Sequence, residues 1–78
     1  MPAGRSTENK FVPLESEMLV AVRYDEQAQH LDVIFRTGDK YRYLGVPRFV
    51  HDGLMNAESH GQYMHKYVLG HFDYERLD

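Results

Sequence analysis

Hydrophobic and polar residues alternate along the chain from Met18 to Leu44. Three stretches in this region, MLVAVRY, LDVIFR and KYRYL, have the length of strands and are rich in β-branched and aromatic residues. The segments between them, DEQAQH and TGD, contain the Asp and Gly residues that turns favour. An apolar period of two residues is typical of strands with one buried face. The pattern therefore predicts an antiparallel meander of three strands.

The first two predicted strands pair in a self-consistent register. Placing Tyr24 opposite Leu31 fixes three further pairs, which are Arg23 with Asp32, Val22 with Val33, and Val20 with Phe35. One face then collects apolar side chains, namely Met18, Val20, Val22, Tyr24, Leu31, Val33 and Phe35. The opposite face carries the Arg23 and Asp32 pair of opposite charges, which favours the same register. We expect the apolar face to form the core.

The second turn leaves two registers open, because one residue more or less in a loop moves a strand's side chains to the other face. A three-residue loop, TGD, pairs Arg36 with Lys40 and places Tyr41 and Tyr43 on the apolar face. Lys40 and Arg42 then join Arg36 on the other face. A two-residue turn, GD, instead pairs Arg36 with Tyr41 and exposes both rings. We favour the three-residue loop, since it adds two rings to a small core.

Beyond Pro47 the apolar period becomes that of a helix. One side of the helical wheel collects Phe49, Val50, Leu54 and Ala57. Ser59 followed by Gln62 has the spacing of a capping box, so a second helix is predicted to begin there. Its apolar stripe comprises Tyr63, Met64, Tyr67 and Val68. The predicted fold class is α+β, with a three-stranded antiparallel β-meander packed on one face by two C-terminal helices.

The length and composition of the chain limit its organisation. Its 78 residues suffice for one small core, and it has no cysteine to supply a disulfide or a zinc thiolate. Residues 1–11 are rich in Gly, Ser, Thr, Asn and Pro, so they are predicted to form a mobile tail, and residues 12–78 a single domain. No stretch approaches the length of a membrane span, which predicts a cytoplasmic protein.

Charge is segregated along the chain although the formal net charge is only -3. Five acids face one base between Glu15 and Asp32. Four bases then face only Asp39, and they are Arg36, Lys40, Arg42 and Arg48. This second block contains the Tyr41-Arg42-Tyr43 run, so it is either a solvated strand with its turn or a patch that binds an anion.

The candidates for catalytic chemistry are weak. The five histidines show no His-Glu-x-x-His spacing and no cysteine supports them, so no metal site is expected. The glycines form no Gly-x-Gly-x-x-Gly phosphate loop, so no cofactor is expected. Ser59 lies between Glu58 and His60, but helix capping accounts for it better than nucleophilic catalysis. The sequence therefore predicts a protein that is not an enzyme.

Aromatic rings interleaved with bases are typical of proteins that bind single-stranded nucleic acid, where rings stack on bases and cations contact phosphates. The RNA-binding hypothesis assigns phosphate contacts to Arg36, Lys40, Arg42 and Arg48, and stacking to Tyr41 or Tyr43 if they are exposed. The plainer alternative is that these tyrosines are core residues. A third alternative is a protein-interaction or self-association module that uses the sheet edges with Phe72, Tyr74 and Leu77.

The order of several short motifs resembles that of the KTSC domain, a small module of some lysyl-tRNA synthetases and of stand-alone bacterial proteins. The matching features are VRYD, LDVIF, Gly38, Tyr41-x-Tyr43, Val46-Pro47, Leu54 and Ala57-x-Ser59-x-Gly61-x-Tyr63. The chain departs from the family at Glu17, where a second serine is common, and at Met64-His65, where Phe-Asn is common. The resemblance implies a compact α+β module without catalytic residues, for which RNA binding has been suggested.

Overall fold

The structure is a computed structural model that describes residues 10–77. The elements in chain order are β1 (Val12–Pro13), β2 (Leu19–Asp25), β3 (His30–Phe35), β4 (Lys40–Tyr43), α1 (Arg48–Asn56), α2 (His60–Tyr63) with a π-helical extension (Met64–Val68), and β5 (Tyr74–Arg76). All pairings are antiparallel in one sheet, in the order β1-β2-β3-β4-β5. The α+β class is confirmed. The described residues contain five strands, however, so the prediction of three strands was wrong.

The two strands that the sequence pattern missed are the short edge strands. β1 pairs Val12 with Val22, and β5 pairs Tyr74 with Tyr43. Strands of two or three residues are too short to show a period, and the proline in β1 suits only an edge. The predicted mobile tail falls mainly on residues 1–9, which lie outside the described residues.

The pairing of β2 with β3 follows the predicted register except at its beginning. The pairs Tyr24–Leu31, Arg23–Asp32 and Val22–Val33 are all present. An irregularity between Leu19 and Ala21 gives Leu19, not Val20, as the partner of Phe35. A bulge adds one residue to a strand and so exchanges its two faces. Leu19 is therefore fully buried, while Val20, predicted inside, is only half-buried. Phe35, also predicted inside, stays on the covered face opposite Leu19 but is likewise half-buried.

The loop between β3 and β4 has the predicted length but lies one residue earlier. The Phe35 N–H donates to the Asp39 carbonyl at 2.9 Å, so the three loop residues are Arg36 to Gly38. Gly38 adopts a φ of 97°, which closes such loops at little steric cost. The pairs are Ile34 with Lys40 and Val33 with Tyr41, rather than Arg36 with Lys40 and Phe35 with Tyr41. A register shift of two residues keeps the faces unchanged, so Tyr41 and Tyr43 lie on the apolar side as predicted.

The helices cover one face of the sheet with a narrower apolar stripe than the wheel predicted. Val50 and Leu54 of α1 are buried, as are Met64 and Val68 of the π-helical extension. Phe49 was predicted on the core side and is 74% exposed, because it projects about 100° away from Val50 around the helix. The Ser59 hydroxyl accepts the Gln62 N–H at 3.2 Å, which confirms the predicted start of α2.

The two helices meet at Gly53 of α1. The Tyr63 ring lies against this glycine so closely that a Cβ there would come within 2.7 Å of Tyr63 Cζ. A larger residue at this position would therefore have to displace the Tyr63 ring. The buried core on the sheet side comprises Leu19, Val22, Leu31, Val33, Tyr43 and Val46.

Candidate nucleic-acid interface

A row of alternating charges crosses the sheet on the face opposite the buried core, here called the open sheet face. Asp32 in β3 has Arg23 of β2 on one side and Arg42 of β4 on the other. Arg42 binds both carboxylate oxygens, with Nε at 2.8 Å from Oδ1 and Nη2 at 3.1 Å from Oδ2. Arg23 donates to Oδ2 from Nη2 at 2.8 Å and from Nε at 3.1 Å. We call these three residues the arginine triad.

The carboxylate of the arginine triad is hidden beneath its partners. Asp32 is only 3% exposed, whereas more than a quarter of each arginine side chain reaches solvent. Burial by itself would raise the pKa of Asp32, but the hydrogen bonds from Arg42 and Arg23 outweigh it and lower that pKa below 3.8. The hydrogen bond to Asp32 likewise raises the pKa of Arg42. Solvent therefore meets two fixed guanidinium groups rather than a carboxylate.

The ends of the row are an aromatic ring and an acid. The Arg23 guanidinium lies 4.2 Å from the centre of the Phe11 ring, which is a cation-π contact. Glu75 of β5 is opposite Arg42 in the register. Lys40 is exposed on the same face, two residues before Arg42 in β4 and opposite Ile34 of β3. The centre of the open sheet face is thus basic, with an acidic side chain at its β5 edge.

The six residues of the RNA-binding hypothesis do not form one surface. Lys40 and Arg42 lie on the open sheet face, and the rings of Tyr41 and Tyr43 lie on the opposite one. The sequence predicted a block of positive charge with Asp39 as its only acid. This prediction was wrong for Arg42, because Asp32 neutralises its charge.

Two arginines of that hypothesis lie near opposite ends of β3. Arg36 begins the β3–β4 loop, where its Nε donates to the Ser16 carbonyl at 2.9 Å. Arg48 begins α1, beside the β2–β3 turn. It forms ion pairs there with Glu26 at 3.2 Å and with Asp52 at 3.5 Å. The two guanidinium groups therefore cannot act on one short segment of a ligand.

An aromatic groove lies on the covered side of the sheet, beyond the end of the π-helical extension. Its volume is about 600 Å³. Its apolar lining residues, here called the floor, are Met18, Phe35, Tyr41, Tyr43, Leu69 and Tyr74. Its polar lining residues, here called the rim, are Glu17, Arg36, Thr37 and Asp39. Tyr43 is 4% exposed and its pKa is raised to about 12 by burial, so it cannot stack on a ligand. Tyr74 is 62% exposed.

Sequence reasoning missed Arg23 and Tyr74 as candidates for nucleic-acid contact. Arg23 was correctly paired with Asp32, but its proximity to Arg42 follows only when both registers are combined. Tyr74 was assigned to a protein interface because the pairing of β5 with β4 left no signal in the pattern. The cross-strand alignment of Arg23, Asp32 and Arg42 is the signal that could have located the arginine triad.

The part of the chain that the structure describes contains neither a metal cluster nor a membrane span. Among residues 10–77, no three His, Cys, Asp or Glu side chains are grouped so that they could hold a metal ion. A second groove, of about 440 Å³, contains His60 and His65. The His60 ring bonds to the Leu54 carbonyl at 2.8 Å through Nδ1. Within the same described range, no helix is long and apolar enough to cross a membrane.

Comparison with known proteins identifies the family. The profile of the KTSC domain matches residues 15–72. The chain belongs to the KTSC domain family. A crystal structure of a KTSC domain protein from Yersinia pestis superposes with a TM-score of 0.86 at 29% identity, covering 88% of this chain and 97% of that one.

The relatives of this KTSC chain are of two kinds. A lysine–tRNA ligase from Nostoc sp. is 43% identical over 63 residues, which are 81% of this chain and 11% of the ligase. A similar ligase from Trichormus variabilis is 41% identical over the same length. An uncharacterized protein from Stutzerimonas stutzeri is 37% identical over 70 residues, which are 88% of this chain and 99% of that protein. The chain thus spans about a tenth of the ligases and nearly all of the small relative.

Proposed function

We propose that this KTSC domain is a non-enzymatic RNA-binding module whose open sheet face contacts the phosphate backbone. The observation that carries the proposal is the arginine triad, in which one buried carboxylate holds two guanidinium groups side by side at the centre of that face. Lys40 supplies a third cation next to Arg42. Related sequences occur within lysine–tRNA ligases, which act on an RNA, and this supports the ligand class.

The arginine triad leaves donors for a ligand. Within residues 10–77, Nη1 of Arg23 and Nη1 of Arg42 make no hydrogen bond, since Asp32 engages only Nε and Nη2. Arginine contacts phosphate oxygens well because its planar group presents several donors in fixed directions. Asp32 holds both groups in place, so little side-chain entropy is lost when an anion binds.

The modest charge of the domain sets the expected strength of binding. A chain with a net charge of -3 has no general attraction for nucleic acid, so affinity depends on the few cations of the open sheet face and on Arg36 at its margin. We therefore propose weak, salt-sensitive binding that adds to the affinity of a larger assembly rather than acting alone.

Fluorescence anisotropy with a labelled single-stranded RNA, measured over a range of salt concentrations, tests this function. The expected result is an association constant whose logarithm falls linearly with the logarithm of salt concentration. Replacing Lys40 with Gln removes one phosphate interaction and should reduce that slope by about 0.7. Lys66→Gln, the same charge change on an exposed residue of the π-helical extension, is the control and should leave the slope unchanged.

Arg48→Gln separates the sequence-based hypothesis from the proposal made from the structure. The hypothesis counts Arg48 as a phosphate contact, whereas in the structure Arg48 forms ion pairs with Glu26, in the β2–β3 turn, and with Asp52. Unchanged RNA binding by this variant supports the open sheet face. Failure of the parent protein to bind any RNA at low salt would overturn the function itself.

A second candidate function is self-association through the helical layer, which the exposure of Phe49 favours. Phe49 and Tyr67 are 74% and 46% exposed, and each lies one helical turn from the Gly53–Tyr63 contact. Two such rings on one layer could meet a second copy of the chain. Sedimentation velocity should then show a concentration-dependent dimer that Phe49→Ser abolishes, and a monomer at all concentrations would exclude this candidate.

A further inference from the structure

We infer that the aromatic groove receives an unpaired nucleobase, which makes the ligand of the proposed function single-stranded RNA. The groove and the open sheet face lie on opposite sides of the sheet. They meet at the β3–β4 loop, whose first residue is Arg36. A flexible strand can pass around this loop, with phosphates on one face and a base on the other. The inference rests on the proposed function and adds the class of RNA to it.

Three rings form a fixed support beside the groove. The Tyr41 ring meets Phe35 edge to face, with 5.9 Å between centroids and 69° between planes. It meets Tyr74 in the same way, at 5.4 Å and 89°. Contacts of this geometry favour a single arrangement of the rings. Tyr74 is therefore held along one side by its neighbours, yet most of its surface is open to a ligand.

The rim of the groove supplies fixed polar groups. The Thr37 hydroxyl donates to the Asp39 carboxylate at 3.0 Å, and Arg76 donates to the same carboxylate at 2.8 Å. The Arg76 guanidinium also lies 5.7 Å from the centre of the Tyr41 ring. These contacts position hydroxyl and carboxylate oxygens at the edge of an aromatic floor. A base needs both features, since its faces stack and its edges form hydrogen bonds.

The rim of the groove carries one cation, Arg36, that can meet the phosphate of a nucleotide. Arg36 lines the groove, and it forms no ion pair with any residue that the structure describes. Its guanidinium can therefore meet the phosphate attached to a bound base. Glu17 also lines the rim and opposes such a phosphate. Replacing Glu17 with Gln should consequently strengthen binding, whereas replacing Arg36 with Gln should weaken it.

A base that remains in a double helix cannot enter this groove. The faces of paired bases are covered by their neighbours in the stack, so only an unpaired base presents a face to Tyr74. Stacking on an aromatic side chain tolerates any base. We therefore expect the domain to discriminate between single-stranded and duplex RNA, with little preference for sequence.

The test compares a short single-stranded RNA with its own duplex at one low salt concentration. The parent protein should bind the single strand more tightly. Tyr74→Ala should weaken single-strand binding by about 5- to 100-fold and leave duplex binding unchanged, whereas Tyr74→Phe should retain it. Tyr67→Ala removes an exposed ring of the helical layer and is the matched control. Circular dichroism of each variant checks that the sheet is intact.

The outcomes separate this inference from the proposed function. Equal binding of single strand and duplex, with no effect of Tyr74→Ala, would overturn the groove and leave RNA binding by the open sheet face standing. Absence of binding to either RNA would overturn the proposed function. In that case adenosine monophosphate is the remaining probe, and only a change in the Tyr74 and Tyr41 ring signals in NMR spectra would retain the groove as a base site.

Discussion

The two faces of the sheet are stabilised by different physical means. The covered face is apolar, and Leu19, Val22, Leu31 and Val33 are buried there beneath the helices. The open sheet face has one buried carboxylate at its centre, Asp32, with an arginine on each side. Shape and volume decide the stability of the first face, while charge pairing decides that of the second.

This difference shows which cations can serve binding without serving the fold. Arg23 and Arg42 serve the fold because they pair with the buried Asp32, and in the proposed function they also contact the ligand. Lys40 and Arg36 form no ion pair among the described residues, so both can contact a ligand. Replacing Lys40 should not change stability, whereas replacing Arg36 also removes its hydrogen bond to the Ser16 carbonyl. A test of function that changes Arg42 therefore confounds binding with folding.

The largest expected effect distinguishes the two residues at the bulge of β2. Leu19→Ala should lower the free energy of unfolding by about 2–5 kcal/mol, since it leaves a cavity in the core. Val20→Ala should cost clearly less, because Val20 is only half-buried. Urea denaturation of both variants measures the difference. Equal losses would contradict the bulge and restore the regular register.

The covered face should also lose stability in alkali through Tyr43. Burial raises the pKa of Tyr43 from 10.0 to about 12, so only the unfolded chain ionises at this position between those values. The contribution of Tyr43 to the free energy of unfolding is therefore fully present below pH 10.0. It is lost as the pH rises towards 12, by up to about 2–3 kcal/mol. Tyr43→Phe should show a shallower decline over that range. Parallel pH profiles would place the hydroxyl in solvent.

On the open sheet face, Arg42→Gln should cost about 2 kcal/mol. The variant leaves the buried Asp32 carboxylate with Arg23 alone, and a buried charge that loses a partner is strongly destabilising. Partial exposure of the guanidinium groups keeps the cost below that of a fully buried pair. Arg36→Gln, which removes the same charge from the β3–β4 loop together with one exposed hydrogen bond to the Ser16 carbonyl, serves as the control and should lower the melting temperature clearly less. Similar melting temperatures for both variants would contradict the arginine triad.

The same carboxylate should make the open sheet face sensitive to acid. The folded-state pKa of Asp32 lies below 3.8, so its contribution to stability is complete above that value and is lost as the pH falls through the folded-state pKa. Asp32→Asn should remove this part of the acid sensitivity. Chemical denaturation at a series of acidic pH values compares the two slopes, and identical slopes would show that Asp32 titrates normally.

The smallest expected effect is that of Lys40→Gln on stability. Lys40 is exposed and no described residue pairs with its charge, so the melting temperature should not change within error. A drop in melting temperature would show that Lys40 stabilises the fold through the row of charges on the open sheet face. An effect of Lys40→Gln on RNA binding would then not report ligand contact alone.

The sequence predicted the strand faces better than the strand ends. A period of two residues specifies a face, which is why Tyr41 and Tyr43 were placed correctly although their partners were wrong by two residues. The bulge near Val20 has no local signature, and one extra residue there exchanged Leu19 with Val20. The pattern did not predict the edge strands β1 and β5, because their pairing depends on residues that are neighbours in space rather than in sequence.

The candidate site could be predicted only in part, for the same reason. Arg36 and Lys40 were singled out from charge alone, and both are accessible. Charge along the chain could not show that Asp32 neutralises Arg42, since residues ten apart become neighbours only through the hairpin. Tyr74 became a candidate only when β5 brought it beside Tyr41.

Chemical-shift mapping with a short single-stranded RNA would show directly whether the open sheet face and the groove bind one ligand. Backbone amide signals are followed as the RNA is added to labelled protein at low salt. We expect shifts at Arg23, Lys40 and Arg42 on the open sheet face and at Arg36 and Tyr74 beside the groove. Shifts confined to the helical layer, around Phe49 and Tyr67, or no shifts at all, would contradict RNA binding by these two surfaces.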